Sequence, residues 1–408
     1  MAPKKAVAVV KKEEAAVPAP VETEESKKML EIWTKLTSVP TDAERAEVAA
    51  EIAALVKKEG AQSLKKYLVV ERIQYAAADK VNALAREAAM VAYTALVNNV
   101  GRVLEPFLIP LFLTVLNLHS DKIGAVRTAA ETAGKTICDK ICPFAAKQMV
   151  PVVFEAMLDR KNWKTVEAAL TLLGVLADHA PRQLALCLPA IIPKVSEAMS
   201  DSKEQVKKAA YDAMTKVCGA IGNRDIEQFI PALVSSIAKP QEVPDCVHKL
   251  SATTFVTAVG SPTLALMVPL LSRGLKERAP AIKRKSAVII ENMSKLIDDP
   301  MDAAPFLPKL IPGLDLVAKE AADPEIRSVA TRAHKILTLV GEEGAEMLAA
   351  QLAEAELVSR FSSQFGKSIC WDLIYVTSSS SKSAPFHPLA KGGMIAVCFT
   401  KGVFVLFF

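Results

Sequence analysis

Six stretches of the chain share one pattern of apolar and polar positions. Each reads as an apolar helix carrying a proline, then a short polar turn, then a second helix that opens with an apolar residue beside a basic one. MVPVVFEAMLDRKNWKTVEAA at 149–169 and LIPGLDLVAKEAADPEIRSVA at 310–330 are two of them. The prolines that mark the phase are Pro110, Pro151, Pro193, Pro231, Pro269 and Pro312, at separations of 41, 42, 38, 38 and 43 residues. A period of about 40 residues built from helix pairs is the HEAT type of repeat. Proline inside a helix removes one backbone hydrogen bond and bends the axis. A bend at the same phase of each first helix lets successive pairs nest alike. Asp323 before Pro324 supplies an N-cap and an N1 proline for a second helix, and Ser261 before Pro262 is expected to do the same for a first helix. No single pair can bury its own apolar face, so stacking makes one continuous core.

Upstream, MLEIWTKL, AERAEVAAEIAALVKK and AREAAMVAYTALVNN have helical apolar spacing and read as one or two divergent pairs. The expected fold is therefore all-α, an α-solenoid of HEAT-type helical repeats over residues 26–350. Residues 1–25, with mixed charge and Pro18 and Pro20, read as a disordered arm. No signal peptide is expected there, because the apolar runs are short and Glu13 and Glu14 follow at once. From about Ser368 the helical periodicity stops. A serine run leads to a string of β-branched and aromatic residues, so 351–408 reads as a divergent, disordered or non-native tail. A gene model running past an exon boundary gives such a texture. The apolar end, broken by Lys401, is shorter than the ~20 residues that span a bilayer. No membrane association is expected.

Composition agrees with helices. The 408 residues are 51% hydrophobic with 16 glycines, and Ala, Leu, Val, Lys and Glu dominate. A net charge of +5 permits an anionic partner without demanding one. The seven cysteines are odd in number and dispersed, which fits a reducing, cytoplasmic compartment better than a disulfide framework. Cys138 and Cys142 lack further Cys or His ligands nearby, so no metal site is expected. The five histidines stand apart, outside any ligand spacing or nucleophile elbow. Gly134-Lys135-Thr136 echoes a phosphate loop, but Ala129 stands where its first glycine belongs, and no strand precedes it. The chain is expected to be no enzyme, with no cofactor and no small-molecule substrate.

One cluster stands out. Arg273, Lys276, Arg278, Lys283, Arg284 and Lys285 fall within thirteen residues. On a helical wheel Ile282, Ile289, Met293, Leu296 and Ile297 form an apolar stripe. Arg284 faces away from it, and Lys283 and Lys285 flank it. The plain reading is a solvated helix face paired with acids of neighbouring repeats. The sharper reading is a patch that meets phosphate, since several unpaired cations on one ridge raise anion affinity and its salt dependence.

Val234–Pro300, containing LMVPLLSRGLKERAPAIKRKSAVIIENMSKLIDDP, closely resembles the N-terminal HEAT region of translation elongation factor 3, a ribosome-associated ATPase family of fungi and some protists. IEQFIPALV at Ile226–Val234, Asn162-Trp163 and APFLPKLIPGL at Ala304–Leu314 add to the resemblance, which covers about 26–345. A weaker likeness is to the HEAT-rich general-control coactivator. The resemblance implies a domain that docks on the ribosome, touching ribosomal RNA and proteins and other translation factors. In the family, further helices and two ATP-binding cassettes follow, and ATP hydrolysis drives release of deacylated tRNA from the exit site. With no phosphate loop in this chain, binding is expected and ATP hydrolysis is not. The other reading is an independent scaffold for protein partners, of coactivator or transport-adaptor type. Docking residues are expected at Lys283, Arg284 and Lys285, supported by Arg273, Lys276 and Arg278.

Overall fold

The computed structural model describes residues 18–21, 23–159, 161–365, 396–400 and 403–407; most of the arm expected at 1–25 and part of the tail lie outside these. The chain divides into two compact units, Met1–Gly344 and Ala345–Phe408. The first unit opens with α1 (Lys27–Ser38), α2 (Asp42–Glu59), α3 (Gln62–Lys66), α4 (Val69–Ala77) and α5 (Ala83–Asn99). After a short α6 (Glu105–Leu108) come the pairs α7 (Phe112–Leu118) with α8 (Gly124–Lys140), and α9 (Ala146–Met157) with α10 (Trp163–His179). The next follow short leading helices. After α11 (Pro181–Ala185) stand α12 (Leu188–Ala198) and α13 (Glu204–Gly219); after α14 (Arg224–Glu227) stand α15 (Ile230–Ala238) and α16 (Val243–Leu250). Then come α17 (Ser261–Gly274) and α18 (Pro280–Ser294), α19 (Pro300–Ala303), and α20 (Leu307–Glu320) before the long α21 (Pro324–Phe365). The fold is an all-α solenoid, as the periodicity predicts. In the second unit, β1 (Ala396–Thr400) and β2 (Val403–Phe407) form an antiparallel hairpin, and α21 passes residue 350 unbroken.

Stacking follows from where the apolar residues fall. One contiguous core runs from Met29 to Leu337, and it includes Trp33, Tyr93, Phe112, Leu173, Ile192, Leu233, Leu271 and Met293. The second helices make a layer in which α2, α5, α8, α10 and α13 each pack on the next. Four of the turns that lead into a second helix are built alike. The carboxylate of Asp79, Asp121, Asp159 or Asp201, ahead of the N-cap, accepts a hydrogen bond from the backbone N–H two residues on, at 2.8–3.1 Å. Asp323 stands directly before Pro324 and accepts from the Glu325 N–H at 2.8 Å, its expected capping role. At the other expected start, α17 takes Gly260 as its N-cap; Ser261 is already helical, because Pro262 fills the first turn and fixes φ there.

The proline phase holds with two exceptions. Pro151, Pro193, Pro269 and Pro312 lie inside α9, α12, α17 and α20. Pro110 instead sits in a 3-10 turn, Ile109–Leu111, and Pro231 in the first turn of α15, where no intrahelical N–H is lost. The fourth pair is the irregular one. Its second helix has only 8 residues and is followed by a non-helical link. Two backbone amides of the link, Val256 and Thr257, donate to Asp225 Oδ2 at 2.7 Å each, and Val259 N–H donates to the Leu296 carbonyl at 2.8 Å. Around this short pair, α12 packs directly on α17.

Gly134 sits mid-helix in α8, where an added Cβ would come within 2.7 Å of Leu172 Cδ1. The Gly-Lys-Thr sequence therefore serves helix packing. Gly274 has the same function at the α17–α18 contact, where an added Cβ would overlap the buried Ser286 Oγ, itself without a hydrogen-bond partner. Gly274→Ala is expected to destabilise the solenoid by about 1–3 kcal/mol. Ser286→Ala alone is expected to cost little, and the double variant less than the sum; chemical denaturation of the four proteins measures the coupling.

Asp121 ties two repeats together. It accepts from Arg86 Nε at 2.7 Å and Nη2 at 3.1 Å, and from the Ile123 amide at 2.8 Å. Burial pushes its carboxyl up, but the Arg86 fork and the Ile123 amide more than offset that and hold it below the usual carboxylate range. A depressed folded pKa stabilises above the unfolded value and loses that contribution as pH falls through the folded one. Asp121→Asn is therefore expected to cost about 1.5–3 kcal/mol at neutral pH. The gap to the parent protein is expected to close below about pH 4, read from urea midpoints across pH.

Candidate functional site

The basic cluster spans one inter-helix turn. Arg273 ends α17, Lys276 and Arg278 lie in the turn, and Lys283, Arg284 and Lys285 occupy the first two turns of α18. Ile289 and Met293 are buried and Ile282, Leu296 and Ile297 half-buried, so the apolar stripe lies against the core as the wheel places it. Lys276, Arg278 and Arg284 are exposed, and Arg273, Lys283 and Lys285 are half-buried.

The six cations divide by what they touch. Arg273 Nη1 donates to the carbonyls of Ser236 and Ile237 at 3.0 and 3.1 Å, covering two carbonyls at the C-terminal end of α15. Arg284 pairs with Glu325 at the start of α21; Nε donates to Oε1 at 2.9 Å, and Nη2 bonds the same oxygen. Lys285 Nζ donates to Nδ1 of His248 on α16. Lys276, Arg278 and Lys283 have no ion pair or side-chain hydrogen bond among the described residues. Half of the cluster therefore braces neighbouring repeats, and half is left to solvent.

Lys283 shows the difference most clearly. In the first and last of the six pairs, the matching position just past the first apolar residue of the second helix is an arginine, while the third pair has Lys207, bound to Glu204. Arg127 Nη1 donates to the carbonyls of Asp121 and Lys122, at 2.7 and 3.0 Å. Arg327 Nη1 does the same to Ala321 and Ala322, at 2.6 and 3.0 Å. In each arginine one nitrogen, Nη1, makes both bonds, and Lys283 Nζ makes no such pair. Lys283 leaves the turn unbraced and its ammonium uncommitted.

Local electrostatics oppose this placement. The N-terminus of a helix carries a partial positive charge and favours acids. The first turn of α18 contains no acid, as in α8 and α10, whereas Glu204 opens α13 and Glu325 opens α21. Glu277 is the one acidic residue between Arg273 and Lys285. Packed cations at a helix N-terminus form a field that an external anion relieves.

The rest of the molecule offers little competing chemistry. No group of three or more His, Cys, Asp or Glu side chains among the described residues is placed to hold a metal ion. The thiols of Cys138 and Cys218 are buried, and burial pushes both up, Cys218 to about 12, so they are poor nucleophiles. No helix among the described residues is long and apolar enough to cross a membrane.

The plain reading expected acids of neighbouring repeats, and Glu325 is one for Arg284; sequence reasoning missed the carbonyls that hold Arg273 and the His248 ring that meets Lys285. Glu325 lies 41 residues from Arg284, His248 37 from Lys285, and Ser236 37 from Arg273. Each separation is close to one repeat length, which was the signal available.

The stacked helix pairs and their common turn chemistry define a HEAT-repeat α-solenoid. Residues 45–214 match the family described as EF3 N-terminal HEAT repeat, and 241–347 match the Elongation factor 3/GNC1 HEAT repeat, together more than half of the chain. The chain belongs to the elongation factor 3 HEAT-repeat family. Elongation factor 3 of Gonapodya prolifera is 43% identical over 312 residues, which are 76% of this chain and 29% of that protein. Elongation factor 3 of Phytophthora infestans is 49% identical over 237 residues, 58% of this chain and 23% of that protein. Elongation factor 3A of Saccharomyces cerevisiae is 39% identical over 339 residues, 83% of this chain and 32% of that protein. The chain thus spans between about a quarter and a third of the length of these relatives.

The two arginines are expected to separate in stability. Arg284→Ala removes an exposed pair, 44% and 59% accessible, and is expected to cost less than about 1 kcal/mol. Arg273→Ala leaves the carbonyls of the buried Ser236 and Ile237 without this donor and is expected to cost about 1.5–3 kcal/mol. Thermal unfolding of the two variants checks the order.

Proposed function

We propose that this chain is a ribosome-docking HEAT region of an elongation-factor-3-type translation factor, acting in the cytoplasm. In that reading Lys276, Arg278 and Lys283 contact ribosomal RNA phosphate, and Arg284 and Lys285 add to the field while bracing the stack. Arg273 acts through the scaffold. The observation that supports it is the uncommitted Lys283 beside Lys276 and Arg278, at a helix start where the macrodipole disfavours cations. The family match adds the expected setting, translation elongation. Ribosomal proteins and other translation factors are further partners in this reading. In this reading the region supports release of deacylated tRNA by a full-length factor through docking, without ATP hydrolysis of its own.

Phosphate contacts make affinity fall steeply with salt, by a slope of about one log unit for each contact in a double-logarithmic plot. Purified chain is expected to co-sediment with ribosomes at low salt. The triple variant Lys276→Glu/Arg278→Glu/Lys283→Glu is expected to bind at least about tenfold more weakly, with a slope lower by about two to three, and with unchanged helicity by circular dichroism. A chain that stays at the top of the gradient with ribosomes in excess overturns docking and leaves the protein-scaffold reading. Unchanged binding by the triple variant removes these three residues from the interface.

A further inference from the structure

A second surface lies on another edge of the solenoid and uses different residues. Seven residues before the phase-marking proline, three consecutive pairs expose a large apolar side chain: Val103, Phe144 and Leu186 are 65, 77 and 62% accessible. Each stands in the approach to a first helix, in or beside the short elements Arg102–Leu104, Pro143–Ala145 and Pro181–Ala185. The repeat therefore carries them along one edge of the stack. Packed helices lie about 8–10 Å apart, which sets the step between them. Single exposed apolar residues need no explanation; here three recur at one phase of the repeat, each near an exposed cation.

Charge accompanies the row. Arg102 adjoins Val103, Lys147 lies one helical turn past Phe144, and Arg182 lies one turn before Leu186. All three are exposed, and none has an ion pair or side-chain hydrogen bond among the described residues. In the next pair the same position is itself a cation, Arg224. Of two acids close in sequence to the row, Asp178 is bound to Lys216 at 2.5 Å, and Asp139, five residues before Phe144, is exposed.

We propose that this edge binds an acidic amphipathic helix of a partner protein, laid across the three pairs. Residues seven apart on an α-helix share a face and are about 10.5 Å apart. That spacing matches the step between repeats, so one apolar residue per two turns meets Val103, Phe144 and Leu186 in succession. Glu or Asp beside each of them meets Arg102, Lys147 and Arg182. Helix-in-groove recognition has this form, with apolar anchors at regular offsets and charges setting direction. Nucleic acid fits less well, because branched Val103 and Leu186 offer no stacking platform for bases.

The test is a fluorescence-anisotropy titration of the full chain with a labelled helical peptide of ~18 residues, carrying Leu at every seventh position and Glu beside each. Saturable binding is expected. Phe144→Ser/Leu186→Ser and, separately, Lys147→Glu/Arg182→Glu are each expected to weaken it at least tenfold, with unchanged melting temperature because all four side chains are exposed. The same peptide with Lys replacing Glu is expected not to bind. Absence of binding to the Glu peptide overturns the proposal, as does equal binding by the Ser variant. Displacement of the peptide by oligouridine at equal concentration also overturns it in favour of RNA, and tight binding to phosphatidylcholine–phosphatidylserine vesicles without peptide binding overturns it in favour of a lipid surface. The ribosome-docking variants leave all these residues intact, so failure of either idea is read separately.

Discussion

A helix pair of about forty residues has more apolar surface than its own two helices can cover. That deficit organises the whole first unit. Each pair buries its remaining face on the next, and the core that results is continuous from Met29 to Leu337. Polar ties follow the same rule. Arg86 reaches Asp121 across 35 residues, Lys216 reaches Asp178 across 38, and Arg284 reaches Glu325 across 41. Contacts far apart in sequence are here contacts with the adjacent repeat, so an array of local interfaces replaces a single globular centre.

This is why the architecture was largely legible in the sequence. A pattern that repeats six times can be recognised even where one copy is degenerate. Four of the six phase-marking prolines are inside helices, at the phase the periodicity predicts. Pro110 and Pro231 mark the same phase, yet the chain starts a fresh turn at each, a local choice that periodicity does not encode. Gly260 replaced Ser261 as a helix cap for a similar reason, since proline set the backbone one residue earlier than a side-chain rule places it.

The candidate site was legible in composition and only partly in arrangement. Six cations in thirteen residues were plain to see, and the apolar stripe beside them was placed correctly. What the sequence hid was which charges were already spoken for. Arg273 is bound to backbone carbonyls, a partner with no sequence signature. Arg284 is bound to a glutamate one repeat away. Lys283 emerged as the uncommitted group only by comparison with Arg127 and Arg327, whose Nη1 atoms each brace a turn through two carbonyls. Exchanging arginine for lysine at that position gives up a structural bond and leaves a mobile positive charge, which is a change of role at constant charge.

The short fourth pair has a further consequence. In a chain of nearest-neighbour interfaces, one weak unit ordinarily sets the load at which the array splits in two. Here α12 touches α17 directly, past α15 and α16. The two flanking blocks share an interface of their own, so their folding is coupled in parallel with the weak unit and not solely through it. The solenoid has a bypass at its least regular point: local opening of the fourth pair can occur without severing cooperativity between the region that begins at α1 and the region that holds the basic cluster.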